Sequence, residues 1–183
     1  EEVIAIIAMS LSKSSSLVAS TGMISRELYE QREVLKQDRS SDFLTVGSMG
    51  HASQIALGIS IANSSRQVVC LDGDGAALMH LGGMATIGTT SKGNLFHIIL
   101  NNGAHDSVGG QPTVAQKISL TSIARACRYE KVLGPIQTKD EIIKQVKELE
   151  RLPGKKFLEI RIRKGARANL GRPKETPSEN KAI

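Results

Sequence analysis

The sequence predicts a three-layer α/β fold, with a doubly wound and mainly parallel sheet of about six strands between two layers of helices. Short, almost continuous apolar runs at 67–71 and 95–100 are typical of strands that helices cover on both faces. These runs alternate with segments of helical periodicity, which indicates repeated strand–helix–strand units. With 183 residues and 40% apolar content, the chain can bury one core, which small and aliphatic side chains must fill because aromatic residues make up only 3%.

The predicted elements of the first half follow one another in regular order. Apolar side chains at helical spacing predict a helix within residues 1–12. The elements predicted next are a strand at 17–20, a helix at 25–36, a strand at 43–46, a mostly apolar helix around 55–59 and a strand at 67–71. A helix that is apolar on most of its faces belongs against a sheet.

The second half continues the alternation. The predicted elements are a helix at 78–87 broken by Gly82 and Gly83, a strand at 95–100, a helix at 119–127, a strand at 130–133, a helix after Thr138 and a strand at 156–163. Thr138 and Glu141 form a capping box, which makes the helix after them the most secure. Residues 156–163 alternate between apolar and charged, which predicts a strand with one solvated face.

Two segments are predicted to lack regular structure. Residues 103–113 are polar and rich in glycine, so they are the best candidate for a mobile active-site loop. Residues 164–183 are polar and contain two prolines, which predicts an extended tail. The expected division is therefore a domain over 1–163 and a tail over 164–183.

Composition limits the classes of protein to which this chain could belong. There is no apolar run of 18 residues and no signal-peptide pattern, so we expect a soluble cytoplasmic protein without a membrane segment. Cys70 and Cys127 are expected to be reduced core residues. The net charge of +6 lies largely in 155–174 without interleaved aromatic residues, which argues against nucleic acid and is equally consistent with anionic small molecules. A start at Glu1 and Glu2 suggests a fragment or a mature subunit.

Polar residues follow two successive strands at the point where each strand ends. Asp74, between Gly73 and Gly75, follows one strand, and Asn102 follows the next after 28 positions. Since ligands bind at the carboxyl ends of strands in open α/β sheets, these side chains should share a site. Mg²⁺ prefers such oxygen ligands and usually shares them with phosphate. A plain glycine-rich turn with Asp74 capping a helix is the alternative, but it leaves the Asn101–Asn102 pair unexplained.

The Gly-Asp-Gly and Asn-Asn pair resembles the diphosphate-binding signature of thiamin-diphosphate enzymes. The resemblance implies thiamin diphosphate and Mg²⁺ as cofactors, with Asp74, the Asn102 side chain and the Ala104 carbonyl as metal ligands. The cofactor-binding residues that it implies are Thr21, Gly22, Gly47, Ser48, Met49, Gly73, Asp74, Gly75, Ala76 and Asn102. Many members have Ser where this chain has Ala76, so diphosphate contacts there must come from backbone N–H groups.

Other residues have competing interpretations. The resemblance implies that Met49 wedges the cofactor into a bent shape, whereas ordinary core filling is the alternative. Thr21 either lies near the diphosphate or caps a helix. His51 and His105 are candidate active-site residues, and no histidine pair has zinc-ligand spacing. No catalytic residue is secure in this chain.

Three segments together resemble the C-terminal half of the phosphonopyruvate decarboxylase family: 47–51, 101–113 and 165–173. The resemblance implies decarboxylation of 3-phosphonopyruvate to phosphonoacetaldehyde and CO2, a step of phosphonate biosynthesis. The alternatives are a sulfopyruvate decarboxylase β subunit, which serves coenzyme M biosynthesis, and a non-catalytic phosphate-binding module. The activating glutamate of such enzymes comes from a separate pyrimidine-binding domain or subunit, so we expect a homo- or hetero-oligomer, an anionic 2-oxoacid substrate and no activity of this chain alone.

Overall fold

A computed structural model describes residues 1–176 and 178–179, and a six-stranded parallel sheet is its centre. The strands of the sheet are β1 (Ser16–Ala19), β2 (Asp42–Leu44), β3 (Val68–Gly73), β4 (Leu95–Asn101), β7 (Lys131–Ile136) and β8 (Lys156–Arg161). Their order across the sheet is β2-β1-β3-β4-β8-β7, and every neighbouring pair is parallel. The predicted doubly wound sheet of about six strands is confirmed.

Seven α-helices lie within residues 1–176. They are α1 (Glu2–Ser10), α2 (Met23–Val34), α3 (Ala52–Ala62), α4 (Asp74–Met79), α5 (Gly83–Thr90), α6 (Leu120–Ala126) and α7 (Lys139–Arg151). The predicted helix around 78–87 is two helices, α4 and α5, and its break falls at the predicted glycines. The capping box of α7 is present, with the Thr138 side chain accepting from the Glu141 N–H.

Helices cover both faces of the sheet. One apolar cluster joins side chains of α1, α2 and α7 to alternate residues of the central strands, such as Val69, Leu71 and Ile98. The other joins α3, α5 and α6 to the opposite face, which includes Cys70 and Ile99. Because side chains alternate along a strand, each central strand contributes to both clusters. This double coverage explains the continuous apolar runs of β3 and β4.

The strand predicted at 156–163 is present as β8, but the predicted solvated face is wrong for Lys156 and Glu159. β8 lies between β4 and β7, so five of its six residues are buried. Lys156 is only 1% exposed and donates to Gln67 Oε1 and the Leu152 carbonyl, and Glu159 is 4% exposed and accepts from Asn101. The charged side chains of Lys156 and Glu159 are therefore buried with polar partners, a pairing that alternation alone does not reveal.

The segment 103–113 also differs from its prediction. It contains a two-stranded antiparallel pair, β5 (Ala104–His105) and β6 (Gln111–Pro112), joined by a single 3₁₀ turn at Asp106–Val108. The loop therefore has regular structure of its own.

Neither helix nor strand occurs between 162 and 176, whereas residues 178 and 179 of the predicted extended tail are helical; its Pro177 and residues 180–183 lie outside the described residues. The division at 163/164 stays a prediction. Within the part of the chain that the structure covers, no helix has the length and apolar character needed to cross a membrane. Both cysteines are free, as predicted; Cys70 is buried and Cys127 is half-buried.

Candidate cofactor and metal site

Asp74 and Asn102 lie together at the carboxyl ends of β3 and β4. These strands are hydrogen-bonded neighbours, with Gly73 in register with Leu100, so the residues that follow them emerge side by side. The Asn102 N–H points to Asp74 Oδ1 at 3.4 Å, and the Asp74 side chain is 1% exposed. Parallel pairing thus brings together two oxygen-bearing side chains that are 28 positions apart.

A buried carboxylate needs polar or cationic partners, and the partners of Asp74 among the described residues are polar. Its Oδ2 accepts from the Thr113 hydroxyl at 2.5 Å. No Lys, Arg or His of the described residues forms an ion pair with Asp74. Because burying a lone charge is costly, this donor set fits a bound cation.

The Asn102 amide has a defined orientation. Its Oδ1 accepts from the Ala104 N–H at 3.0 Å, and its Nδ2 donates to Asp106 Oδ2 at 2.6 Å. Asn101, the preceding residue, is fully buried and turns the other way, donating to Glu159 Oε1 at 2.8 Å. The two asparagines therefore have different roles, one toward the site and one toward the core.

A cavity of about 750 Å³ lies over these strand ends. The predicted site residues that line it are Thr21, Met49, Gly73, Asp74, Gly75, Ala76, Asn102, Ala104 and His105. Gly22, Gly47, Ser48 and His51 are not among its lining residues. Most of the predicted set is thus gathered around one cavity large enough for a cofactor.

The loop at 47–50 borders the cavity through Met49 alone. The Gly47 N–H donates to Thr21 Oγ1 at 3.2 Å, which ties this loop to the end of β1. His51 is exposed and its ring lies 4.2 Å from that of His80, measured between centroids. His51 therefore faces the end of α4, and His105 is the candidate histidine that lines the cavity.

Two glycines allow close approach of neighbouring elements. A Cβ atom on Gly75 would overlap the His105 imidazole, so the loop rests directly on the first turn of α4. Gly22 has φ of 97°, and a Cβ there would lie 3.0 Å from the Cβ of Ser107. Both contacts hold the 103–113 segment against the strand ends.

The end of β8 and the start of the C-terminal tail form another wall of the cavity. Arg161, Arg163 and Lys164 line it and form no ion pair with described residues. Arg167, by contrast, pairs with Glu27 and Glu30 of α2. The Gly171 N–H and Arg167 together hold the pKa of the Glu30 carboxyl below its usual value. The tail is therefore docked on α2, and three cationic side chains remain available to an anion.

A buried polar cluster lies below the site in the sheet. His97 Nε2 is 3.4 Å from Asp72 Oδ2, and His97 Nδ1 is 3.1 Å from the Tyr129 hydroxyl. Burial, and then the neighbouring Asp72, raises the pKa of the Cys70 thiol well above its ordinary value. Burial likewise raises the pKa of the Tyr129 hydroxyl. His97 is thus a core residue with polar partners.

Sequence reasoning did not identify four residues of the site: Thr113, Asp106, Arg161 and Arg163. Thr113 and Asp106 belong to the polar segment that is predicted to be an active-site loop, but its composition does not predict their hydrogen-bond partners. Arg161 is the last residue of β8 and Arg163 lies two positions beyond it, and their alternation with apolar residues predicts a solvated face instead of a cavity wall. The closing of loop and tail over the strand ends is what brings them into the site.

Known proteins are similar to this chain in sequence. The family described as thiamine pyrophosphate enzyme, C-terminal TPP binding domain, matches residues 20–160. The phosphonopyruvate decarboxylase of Streptomyces viridochromogenes is 39% identical over 169 residues, which cover 92% of this chain and 41% of that protein. Sulfopyruvate decarboxylase subunit beta of Methanothermobacter thermautotrophicus is 40% identical over 113 residues, 62% of this chain and 58% of that subunit.

The fold is shared with a solved structure as well. Benzoylformate decarboxylase from Polynucleobacter necessarius superposes with a TM-score of 0.68 at 18% identity, over 90% of this chain and 33% of that one. The chain spans about two fifths of the length of the phosphonopyruvate decarboxylases that it matches. Because the family model matches more than half of the chain, the chain belongs to the family of C-terminal domains that bind thiamin diphosphate in thiamin-diphosphate enzymes.

Proposed function

We propose that this chain is the diphosphate- and Mg²⁺-binding half of a thiamin-diphosphate-dependent enzyme that decarboxylates 3-phosphonopyruvate to phosphonoacetaldehyde and CO2. The observation that carries the proposal is the Asp74 carboxylate, 1% exposed and without a cationic partner among the described residues, beside Asn102 at the cavity. A hard divalent cation would neutralise that charge.

Three oxygen atoms of this chain would hold the metal: one of the Asp74 carboxylate, the amide oxygen of Asn102 and the backbone carbonyl of Ala104. The first two already lie at adjacent strand ends, and Ala104 follows within two residues. Diphosphate oxygens and water would complete the octahedron that Mg²⁺ requires. The Thr113 hydroxyl would keep the second carboxylate oxygen of Asp74 occupied.

The glycine-flanked turn would hold the diphosphate. Gly73, Gly75 and Ala76 line the cavity, and backbone N–H groups there are the available donors because Ala76 has no hydroxyl. Thr21 and Met49 would border the rest of the cofactor. Thiamin diphosphate supplies the electron sink that accepts the electron pair when CO2 leaves a 2-oxoacid.

The anionic substrate suits the cationic wall of the cavity. Arg161, Arg163 and Lys164 line the cavity without acidic partners among the described residues, and guanidinium groups suit phosphonate oxygens. The more extensive similarity to phosphonopyruvate decarboxylases supports a phosphonate over a sulfonate substrate. His105, at the loop above α4, is the candidate for proton transfer near the substrate.

A partner domain would complete the active site. The family's activating glutamate would come from a pyrimidine-binding domain, and the related sulfopyruvate decarboxylase chains are named as β subunits, which favours a domain or subunit outside these 183 residues. The cofactor would then lie between two domains of an oligomer. This chain alone would bind cofactor weakly and have no decarboxylase activity.

Calorimetry of thiamin diphosphate binding, with and without Mg²⁺, tests the cofactor site. Asp74→Asn should abolish the Mg²⁺-dependent part of the binding, whereas Asp140→Asn should leave it unchanged. Asp140 is a matched control because it also lies in the first turn of a helix but is exposed. Binding that needs no metal and survives Asp74→Asn would favour a non-catalytic phosphate-binding module.

Substrate choice is tested with the chain joined to its pyrimidine-binding partner. Aldehyde formation from 3-phosphonopyruvate should exceed that from sulfopyruvate, and Arg163→Gln should raise the KM for the phosphonate substrate. A preference for sulfopyruvate would indicate that the chain belongs to a sulfopyruvate decarboxylase instead. Aldehyde produced by this chain alone would contradict the need for a partner.

A further inference from the structure

One oxygen atom of Asp106 connects the metal side of the cavity to the C-terminal tail. Asp106 Oδ2 accepts from Asn102 Nδ2 at 2.6 Å and from the Gly165 backbone N–H at 2.7 Å. Asn102 lies four positions before Asp106, and Gly165 lies 59 positions after it. A short contact within the loop and a long-range contact with the tail thus meet at the same atom.

The hydrogen bonds of Asn102 depend on this contact. An amide has one acceptor and one donor end, and the Ala104 N–H occupies the Oδ1 end. Asp106 Oδ2 is the acceptor for the Nδ2 end, so the two contacts together exclude a flipped amide. A flipped amide would present N–H groups where the metal needs an oxygen ligand.

The tail is held at two places. Beyond Gly165, Arg167 forms ion pairs with Glu27 and Glu30, and the Gly171 N–H donates to Glu30 at 2.5 Å. Gly165 is therefore the point where the tail touches the 103–113 loop before it crosses to α2. Arg163 and Lys164, which line the cavity, directly precede this point.

We propose that Asp106 is a positioning residue that fixes the amide of Asn102 for metal binding and holds the tail at Gly165 against the same side of the cavity. The role in metal binding rests on the proposed function, whereas the contact with the tail does not depend on it. Residues that orient a metal ligand by hydrogen bonding typically change metal affinity by about 10–100-fold when they are lost.

Three variants separate hydrogen bonding from charge. Asp106→Ala should weaken Mg²⁺-dependent thiamin diphosphate binding about tenfold. Asp106→Asn should retain most of it, because its one amide oxygen can accept from both Asn102 and Gly165. Val108→Ala is the control, since Val108 belongs to the same 3₁₀ turn and is 61% exposed. Equal losses in the Ala and Asn variants would indicate a simple charge effect and overturn the proposal.

A double-mutant cycle tests whether Asp106 acts through Asn102. If it does, Asp106→Ala should cause no further loss of affinity in an Asn102→Ala background. Fully additive losses would overturn the positioning role. If the wild-type chain shows no Mg²⁺-dependent binding even with its partner domain, the proposed function fails and the metal half of this proposal fails with it.

The tail contact is tested without any ligand. Amide hydrogen exchange at Gly165 should be at least tenfold faster in Asp106→Ala than in the wild type, and close to wild type in Asp106→Asn and Val108→Ala. Unchanged protection of Gly165 in Asp106→Ala would overturn the tail half of the proposal, whatever the cofactor measurements show. Faster exchange with no cofactor binding would support the tail contact and reject both the proposed function and the metal half of this proposal.

Discussion

The Thr113 hydroxyl donates to Asp74 Oδ2 at 2.5 Å, across 39 positions of sequence. Thr113 ends the loop that begins after β4, and Asp74 begins α4 after β3. One hydrogen bond therefore closes the loop over the carboxylate that is proposed to bind the metal. It also supplies the side-chain donor that makes burial of this charge tolerable.

Thr113→Val should lower the free energy of unfolding by about 1–3 kcal/mol in the absence of metal, because Asp74 loses a donor and stays buried. Urea denaturation measures the change. Thr89→Val is the control, since the Thr89 hydroxyl bonds only to backbone carbonyls of its own exposed helix turn. Equal and small effects in both variants would show that Thr113 does not stabilise Asp74.

Gly75→Ala should destabilise the protein by about 1–3 kcal/mol, because its methyl group would overlap the His105 ring. The direction of this stability change is informative, since a Gly→Ala substitution within a helix ordinarily stabilises the protein by about 1 kcal/mol. The double variant Gly75→Ala, His105→Ala should recover much of the loss, as measured by urea denaturation. A stable single variant would mean that the loop moves away from α4 without cost.

Asn101→Ala should lower the free energy of unfolding by about 2–4 kcal/mol, because Glu159 would be left buried without its donor. Glu159→Gln should be milder, since a glutamine oxygen still accepts from Asn101 Nδ2. Thermal and urea unfolding of both variants provide the comparison. A larger loss in Glu159→Gln than in Asn101→Ala would show that the charge of Glu159 has another partner.

The stability of the protein should depend on pH through Lys156. Burial lowers the pKa of its ammonium group from 10.5 to about 8. Between these pH values the unfolded chain keeps a proton that the folded chain has released, so the free energy of unfolding rises with pH, on the order of 1 kcal/mol per unit. Below pH 8 the folded protein holds a buried ammonium, and this contribution is unfavourable and constant.

Urea denaturation of the wild type and of Lys156→Met measures the Lys156 contribution as the difference between the two proteins. A range from about pH 7.5 to about 9.5 begins below the folded-state pKa of about 8 and covers part of the rise toward 10.5. The raised pKa of the Cys70 thiol acts with the opposite sign, because the unfolded chain loses that proton first. Cys70 is present in both proteins, so the difference isolates Lys156. Parallel stability curves would contradict the lowered pKa.

Alkylation of the native protein at pH 8 should modify Cys127 well before Cys70. Cys70 is 0% exposed and its pKa is raised by burial, so little thiolate forms and none is accessible. Cys127 is half-buried at the end of α6. Mass spectrometry after timed iodoacetamide treatment measures the order, and both thiols should react at similar rates in urea. Fast native labelling of Cys70 would indicate local opening of β3.

Much of the fold was predictable because the signals are local. The apolar runs of β3 and β4, the glycine break between α4 and α5 and the capping box at Thr138 each depend on residues close in sequence. The predicted solvated face of β8 is wrong because the charged side chains of Lys156 and Glu159 are buried beside partners on other elements. Periodicity reports the polarity of a residue, and burial depends on its neighbours in space.

The placement of Asp74 and Asn102 followed from the chain alone, since each residue directly follows an apolar strand and parallel strands end at one edge of a sheet. Only the folded chain shows that Thr113 closes over Asp74, that Asp106 binds both Asn102 and Gly165, and that Arg163 and Lys164 line the same cavity. The hydrogen bonds among these contacts join segments that are up to 59 positions apart and have no regular spacing. Their formation depends on how the loop and the tail pack over the sheet, and local periodicity does not encode that packing.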